Sequence, residues 1–154
     1  MRCASTCGRS ASVTSLTWEW LRCQAWLDEQ RRHDVTAIKR EDVPVAIQTD
    51  DAEVRMSEVG EMTVAFFQLN KGADFGPALA GLPDDMCQCP HWGYVLKGRI
   101  KMKTTSGDEF YEAGDAFYWP PGHSPSAVED TEYVDFSPSE DFATVIRHIM
   151  GGAG

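Results

Sequence analysis

The chain has no run of apolar residues approaching the roughly 20 that a membrane-spanning helix requires, so no transmembrane helix is expected. Its first residues have no apolar core of signal-peptide length, and the expected compartment is the cytoplasm, where thiols stay reduced. Positive charge is scarce: 14 Lys and Arg stand against 24 Asp and Glu, a net charge of −10. A nucleic-acid binder normally presents a basic patch, so this balance argues against that class of partner, and no membrane partner is expected. No Gly-rich phosphate loop sits between a strand and a helix pattern, no Gly-x-Ser-x-Gly element is present, and no internal repeat is visible. What is there is ordinary for one globular domain: 154 residues, 42% hydrophobic and 25% charged.

The composition breaks near residue 40. Residues 1–40 hold seven Lys/Arg against four Asp/Glu, a net of +3, whereas residues 41–154 hold seven against twenty, a net of −13. The first segment also carries three of the five Cys (Cys3, Cys7, Cys23) and three of the five Trp (Trp18, Trp20, Trp26). Three readings compete for residues 1–34: a docking helix, a targeting arm, or upstream sequence read in from a misplaced start. The last is favoured, with the domain occupying 35–154 and beginning at Val35.

From there the pattern is one of short β-type segments separated by turn residues. Val43–Ile47 reads as an edge strand, since Pro44 is tolerated at an edge. Val54–Val59 is a second short segment, and Met62–Leu69 is rich in strand formers and expected to be buried. Arg99–Thr104 alternates basic and apolar, which puts Ile100 and Met102 inside and Arg99, Lys101 and Lys103 in solvent. Ser106-Gly107-Asp108 makes a hairpin turn, Phe110–Trp119 breaks into two strands at Gly114-Asp115, and Thr131–Phe136 is a last alternating strand. Pro120–Pro125 is expected to be a rigid turn carrying His123. A helix over 138–150 follows, with Ser137, Pro138 and Glu140 read as N-cap, first helical residue and capping-box partner. Phe142, Val145, Ile146 and Ile149 form its apolar stripe. Many short strands of this spacing suggest a sandwich or barrel.

Chemistry concentrates in Cys87-Gln88-Cys89-Pro90-His91-Trp92. On an extended chain the two-residue spacing puts Cys87, Cys89 and His91 on one face. Thiolate and imidazole are preferred ligands of zinc and several other transition metals, so the spacing points to a metal site. The competing reading makes both Cys small buried hydrophobes. Trp92, Tyr94, Phe117, Tyr118 and Trp119 are expected to build the core and the cavity wall. Asp84-Asp85 reads as a solvated loop, with an acid/base pair as the sharper alternative.

The run from about Thr63 to Phe136 resembles the cupin superfamily. Gly114-Asp115-Ala116-Phe117-Tyr118-Trp119-Pro120-Pro121-Gly122 matches the second motif of those proteins up to its His, and Tyr94-Val95-Leu96-Lys97-Gly98 matches the end of the first. The resemblance implies an all-β fold, a double-stranded β-helix or jelly-roll barrel, here with a C-terminal helix and an N-terminal extension. It also places His91 where the family carries an acidic ligand, and Pro125 where the second-motif His would fall. The family's His-x-His pair is missing. His123 lies two residues before Pro125, which preserves strand parity. The ligand group implied is therefore Cys87, Cys89, His91 and His123, holding a divalent transition metal, with zinc favoured over iron. Four protein ligands would make a closed structural site; three would leave an open position of the kind catalytic sites use. The function expected is binding or transforming a small organic molecule at that metal. The alternative is a non-enzymatic ligand-binding or sensor module with structural zinc or no metal. A homodimer is expected from the same resemblance.

Overall fold

The computed structural model describes residues 37–151. The readings made for residues 1–34, including Cys3, Cys7, Cys23 and His33, lie outside the described residues. After a single 3-10 turn at Arg40–Asp42, nine strands follow in chain order. They are β1 (Val45–Gln48), β2 (Ala52–Val59), β3 (Met62–Leu69), β4 (His91–Lys97) and β5 (Arg99–Thr104). The rest are β6 (Gly107–Glu112), β7 (Ala116–Trp119), β8 (His123–Ala127) and β9 (Thr131–Pro138). A one-turn helix α1 (Gly76–Leu79) interrupts the β3–β4 connection, and helix α2 (Ser139–Gly151) ends the described chain. None of its helices is long and apolar enough to cross a membrane.

The strands form two antiparallel sheets, one of six in the order β1-β2-β3-β9-β4-β7 and one of three in the order β6-β5-β8. Alternation decides which side chains enter the space between them. Phe67 and Leu69 of β3, Val95 of β4, Phe117 and Trp119 of β7 and Tyr133 of β9 are buried from the large sheet. Ile100 and Met102 of β5 and Ala127 of β8 are buried from the small one, as the alternation of Arg99–Thr104 implied. Leu79 of α1 with Phe142 and Val145 of α2 joins the same core. Glycine is required where strands crowd the site: a Cβ at Gly93 would lie 2.2 Å from the Val134 carbonyl oxygen and 2.4 Å from the Phe117 ring. At Gly98, between β4 and β5, the backbone has φ +76, and a Cβ would meet the Asp130 carbonyl at 2.1 Å.

Four local expectations are corrected. The Pro120–Pro125 stretch does not stay a turn: His123 opens β8, and Pro125 sits within it opposite Met102. The Pro125 carbonyl accepts from Phe75 N on the side of β8 away from β5, so the missing N–H also falls on that side and the β5 ladder stays intact. The helix begins at Ser139, because Ser137 and Pro138 are the last residues of β9, paired with Thr63 and Met62. The capping box is thus displaced by strand pairing. Trp92, Tyr94 and Tyr118 do not line the core: they project from the outer face of the large sheet, whereas Phe117 and Trp119 point inward. Finally, Cys87–His91 is not one continuous strand. Cys87 forms an isolated antiparallel bridge with His123, the backbone bends at Cys89, and β4 starts only at His91.

Candidate metal centre

Three side chains converge inside the barrel from three segments. Cys87 is held by its own backbone, whose N–H donates to the His123 carbonyl at 2.8 Å while its carbonyl accepts from Gly122 N at 2.7 Å. That bridge sets the thiol beside the imidazole of His123, the first residue of β8. His91, the first residue of β4, lies across from Trp119 of β7. One donor atom each from Cys87, His91 and His123 lies within 4.8 Å of the others, and all three residues are buried. The Cys87 Sγ to His91 Nε2 distance is 3.4 Å.

The imidazoles are oriented from behind. His91 Nδ1 lies 3.0 Å from Asp135 Oδ2 and 2.7 Å from Ser137 Oγ. A carboxylate cannot donate, so Nδ1 carries the proton and Nε2 is left facing Cys87. His123 Nδ1 is 2.6 Å from the Pro120 carbonyl, which likewise only accepts, so its Nε2 is the free nitrogen. Histidines that ligate metals are held in this manner, the second ring nitrogen donating to a carboxylate or a backbone carbonyl. A tetrahedral ion about 2.3 Å from sulfur and about 2.0 Å from nitrogen would set those two atoms roughly 3.5 Å apart. The observed Cys87–His91 separation matches that edge, so the donor set fits a transition metal.

Electrostatics reinforce the geometry. Burial by itself pushes the Cys87 thiol up, but hydrogen bonds from His123 and His91 outweigh it and bring the thiol down to about 6. Burial pushes His91 the other way, toward the neutral ring. The Asp135 carboxylate and the Cys87 sulfur overcome this and raise it to about 9. The metal-free protein thus holds a thiolate against an imidazolium against a carboxylate. Asp135 is 1% exposed, and its second oxygen, Oδ1, has no hydrogen-bond partner among the described residues.

Cys89 is not brought into this group. The bend before Pro90 turns its Sγ to within 3.4 Å of the Pro90 carbonyl. Burial, with the negative charges of Cys87 and Asp135, pushes its thiol up to about 12 in the metal-free protein. No disulfide joins the two cysteines, in keeping with their sequence spacing. Asp84 and Asp85 are exposed in a 3-10 turn, away from the cluster, and His148 of α2 bonds the Ala80 carbonyl.

Beside the cluster lies a cavity of ≈ 40 Å³ lined by Cys87, His91, His123 and Asp135. Its other walls are apolar: Phe67, Phe75 and Leu79 from the barrel side, and Phe142, Val145, Ile146 and Ile149 from α2. The apolar stripe legible in the last helix therefore packs over the site. Asp135 and Ser137 were the functional residues that sequence reasoning passed over. In β9 the parity Tyr133, Asp135, Ser137 points inward while Val134 and Phe136 point outward. Apolar residues occupy both parities, so the alternation alone did not say which face was buried.

Two antiparallel sheets with this strand order, packed around one core, form the double-stranded β-helix barrel of the cupin fold, and the chain has that fold. Solved structures similar in fold include an RmlC-like cupin from Shewanella frigidimarina at 19% identity and TM-score 0.52, matching 71% of this chain and 96% of that one. KdgF from a Halomonas species is similar at 19% identity and TM-score 0.52, over 68% of this chain and 94% of that one. A mutant of the oxalate decarboxylase OxdC of Bacillus subtilis matches 69% of this chain with 30% of its own length, at 17% identity and TM-score 0.51. No family model and no curated protein matches the sequence.

Proposed function

We propose that this chain is a cupin-fold metalloprotein in which Cys87, His91 and His123 hold one transition metal ion, zinc or iron, beside a cavity that receives a small organic molecule. The observation that carries the reading is the pair of histidines whose Nδ1 atoms are fixed by Asp135 and Pro120 and whose Nε2 atoms are turned toward the Cys87 sulfur. Three protein ligands leave a coordination position open, which favours a working site over a closed structural one. When bound, such an ion supplies Lewis acidity toward a carbonyl or lowers the pKa of water.

The chain's own residues set what can approach. A cavity of ≈ 40 Å³ is well below the roughly 150 Å³ that accommodates benzene. A molecule of more than a few heavy atoms therefore enters only if side chains of the lining move aside. The apolar wall favours a largely apolar ligand, and Asp135 Oδ1 offers one acceptor for its hydroxyl or N–H group. The buried thiolate requires a reducing compartment, which the cytoplasm provides.

A second reading rests on one specific array. Cys87 Sγ, His91 Nε2 and Nδ1, and Asp135 Oδ2 stand in the order nucleophile, base and orienter, at 3.4 and 3.0 Å. Without metal, Cys87 would be an activated thiol. Elemental analysis of anaerobically purified full-length protein separates the two. One equivalent of metal in the wild type, lost on Cys87→Ser, His91→Ala or His123→Ala, supports the metal centre. Absence of metal in the wild type, even after reconstitution, overturns it and leaves the thiol reading.

A further inference from the structure

β6 is an edge of the small sheet and β7 an edge of the large one. Between them lies a cleft of ≈ 310 Å³, within the range of roughly 300–1,000 Å³ that small-molecule sites occupy. Met102, Glu109 and Tyr111 line it from β5 and β6, and Trp119, Pro120 and Pro121 from β7 and the loop after it. It shares only Trp119 and His123 with the apolar cavity beside the metal cluster. The pattern of β6 on this wall is inverted. Met102 pairs with Glu109 and Ile100 with Tyr111, so both β6 residues lie on the face that carries the buried Ile100 and Met102. Phe110, between them, is turned outward, 48% exposed beneath the Arg99 guanidinium. A core-facing strand position normally takes an apolar residue, and here one holds a carboxylate.

Three polar groups meet in the cleft. The Tyr111 hydroxyl donates to Glu109 Oε2 at 2.7 Å. Burial, then the bond to Glu109, push that hydroxyl up to about 12, so it remains a donor. The Trp119 N–H is directed at the same hydroxyl but closes no hydrogen bond, and Trp119 is 2% exposed. A buried donor without an acceptor destabilises the fold, so this N–H is matched by an oxygen brought from outside. Charge narrows the choice of ligand. No Lys or Arg lines the cleft, and Glu109 is its one acidic residue. The net charge of −10 draws cations toward the molecule and repels anions. Met102, Pro120 and Pro121 offer an apolar bed for the rest of a ligand.

We propose that the cleft between β6 and β7 binds a small organic cation, an amine that carries a hydroxyl oxygen near its nitrogen. The ammonium group sits against Glu109, and the oxygen accepts from the Trp119 N–H beside Tyr111. A neutral ligand of the same shape loses the ion pair, and a carboxylate in place of the ammonium meets Glu109 as a like charge. The site stands on the cleft alone, goes beyond the metal centre and does not depend on whether a metal ion is bound there.

Titration of the full-length protein with three probes of one shape tests this. Phenylethanolamine, phenylethylene glycol and mandelate carry an ammonium, a hydroxyl and a carboxylate beside the same carbinol. Proton–nitrogen NMR follows the indole N–H signal of Trp119, identified by its loss in Trp119→Phe or, if that variant is unfolded, by through-bond assignment. The expected result is saturable movement of that signal by phenylethanolamine, with the glycol at least about threefold weaker and mandelate at least about tenfold weaker. Glu109→Gln is expected to abolish the preference for the amine over the glycol. Asp108→Asn, whose carboxylate faces outward to Lys101, is expected to keep it. A Trp119 signal that phenylethanolamine does not move at concentrations up to about 10 mM overturns the proposal. So does either other probe binding as tightly as the amine, or a preference for the amine that Glu109→Gln leaves intact.

Discussion

Asp135→Asn isolates the part of the site that touches no donor atom directly. The substitution keeps shape and burial and removes only the charge that faces His91 Nδ1 at 3.0 Å. If the new amide presents its oxygen, Nδ1–H keeps an acceptor and His91 loses only basicity. If it presents its N–H₂ group, Nδ1 must accept instead, and the ring proton moves to Nε2, where it blocks the nitrogen that faces Cys87. Loss of such a partner behind a ligating histidine costs about 10–100-fold in metal affinity, or about 1.4–2.7 kcal/mol. The assay is competition for zinc against a chelator of known affinity, with the wild type and Asp115→Asn as references. Asp115 is exposed and caps only the Glu112 N–H, so its variant is expected to bind as the wild type does. An affinity in Asp135→Asn within about twofold of wild type would refute the reasoning, since the orienting bond would then contribute nothing to ligation.

Two further outcomes follow from the geometry. Cys89→Ser should keep its metal while Cys87→Ser loses it; the former pays for a buried hydroxyl with about 1–3 kcal/mol of stability in a denaturant titration. Equal metal loss in both would return Cys89 to the ligand set. In metal-free protein the Cys87 thiolate absorbance should appear near pH 6, and it should shift upward in His91→Ala. A thiol depressed to about 6 contributes stability that is present above its unfolded value and lost as pH falls through 6. An imidazole raised to about 9 contributes stability that is present at low pH and lost as pH rises through 9. The metal-free pair therefore stabilises the fold most between the two values, and a flat stability profile from pH 5 to 10 would contradict it.

Strand existence was legible because it rests on local pattern: Met62–Leu69 is β3 to the residue, and the breaks at Gly98 and Gly114-Asp115 fall where turn residues stand. β8 was not legible, because Pro125 argues against a strand unless its missing N–H is known to face away from the β5 ladder, toward the short segment around Asp74. The start of α2 was misplaced for a related reason. Ser137-Pro138 carries a strong local capping signal, but pairing of β9 with β3 holds those residues in the sheet, and Ser137 bonds His91 instead. The candidate site was legible in its residue types. Cys87, His91 and His123 were chosen from spacing and resemblance, and the fold brings them together. Cys89 was included on strand parity, which fails where the chain bends before Pro90. Asp135 could not be found without knowing which face of β9 is inside, a choice made by tertiary packing and not by the strand itself.

X-ray absorption at the edge of the bound metal tests the central claim most directly, because it counts sulfur neighbours. One sulfur at about 2.3 Å with two imidazole nitrogens at about 2.0 Å is the shell predicted for Cys87, His91 and His123. Two sulfurs, or none, would contradict the account.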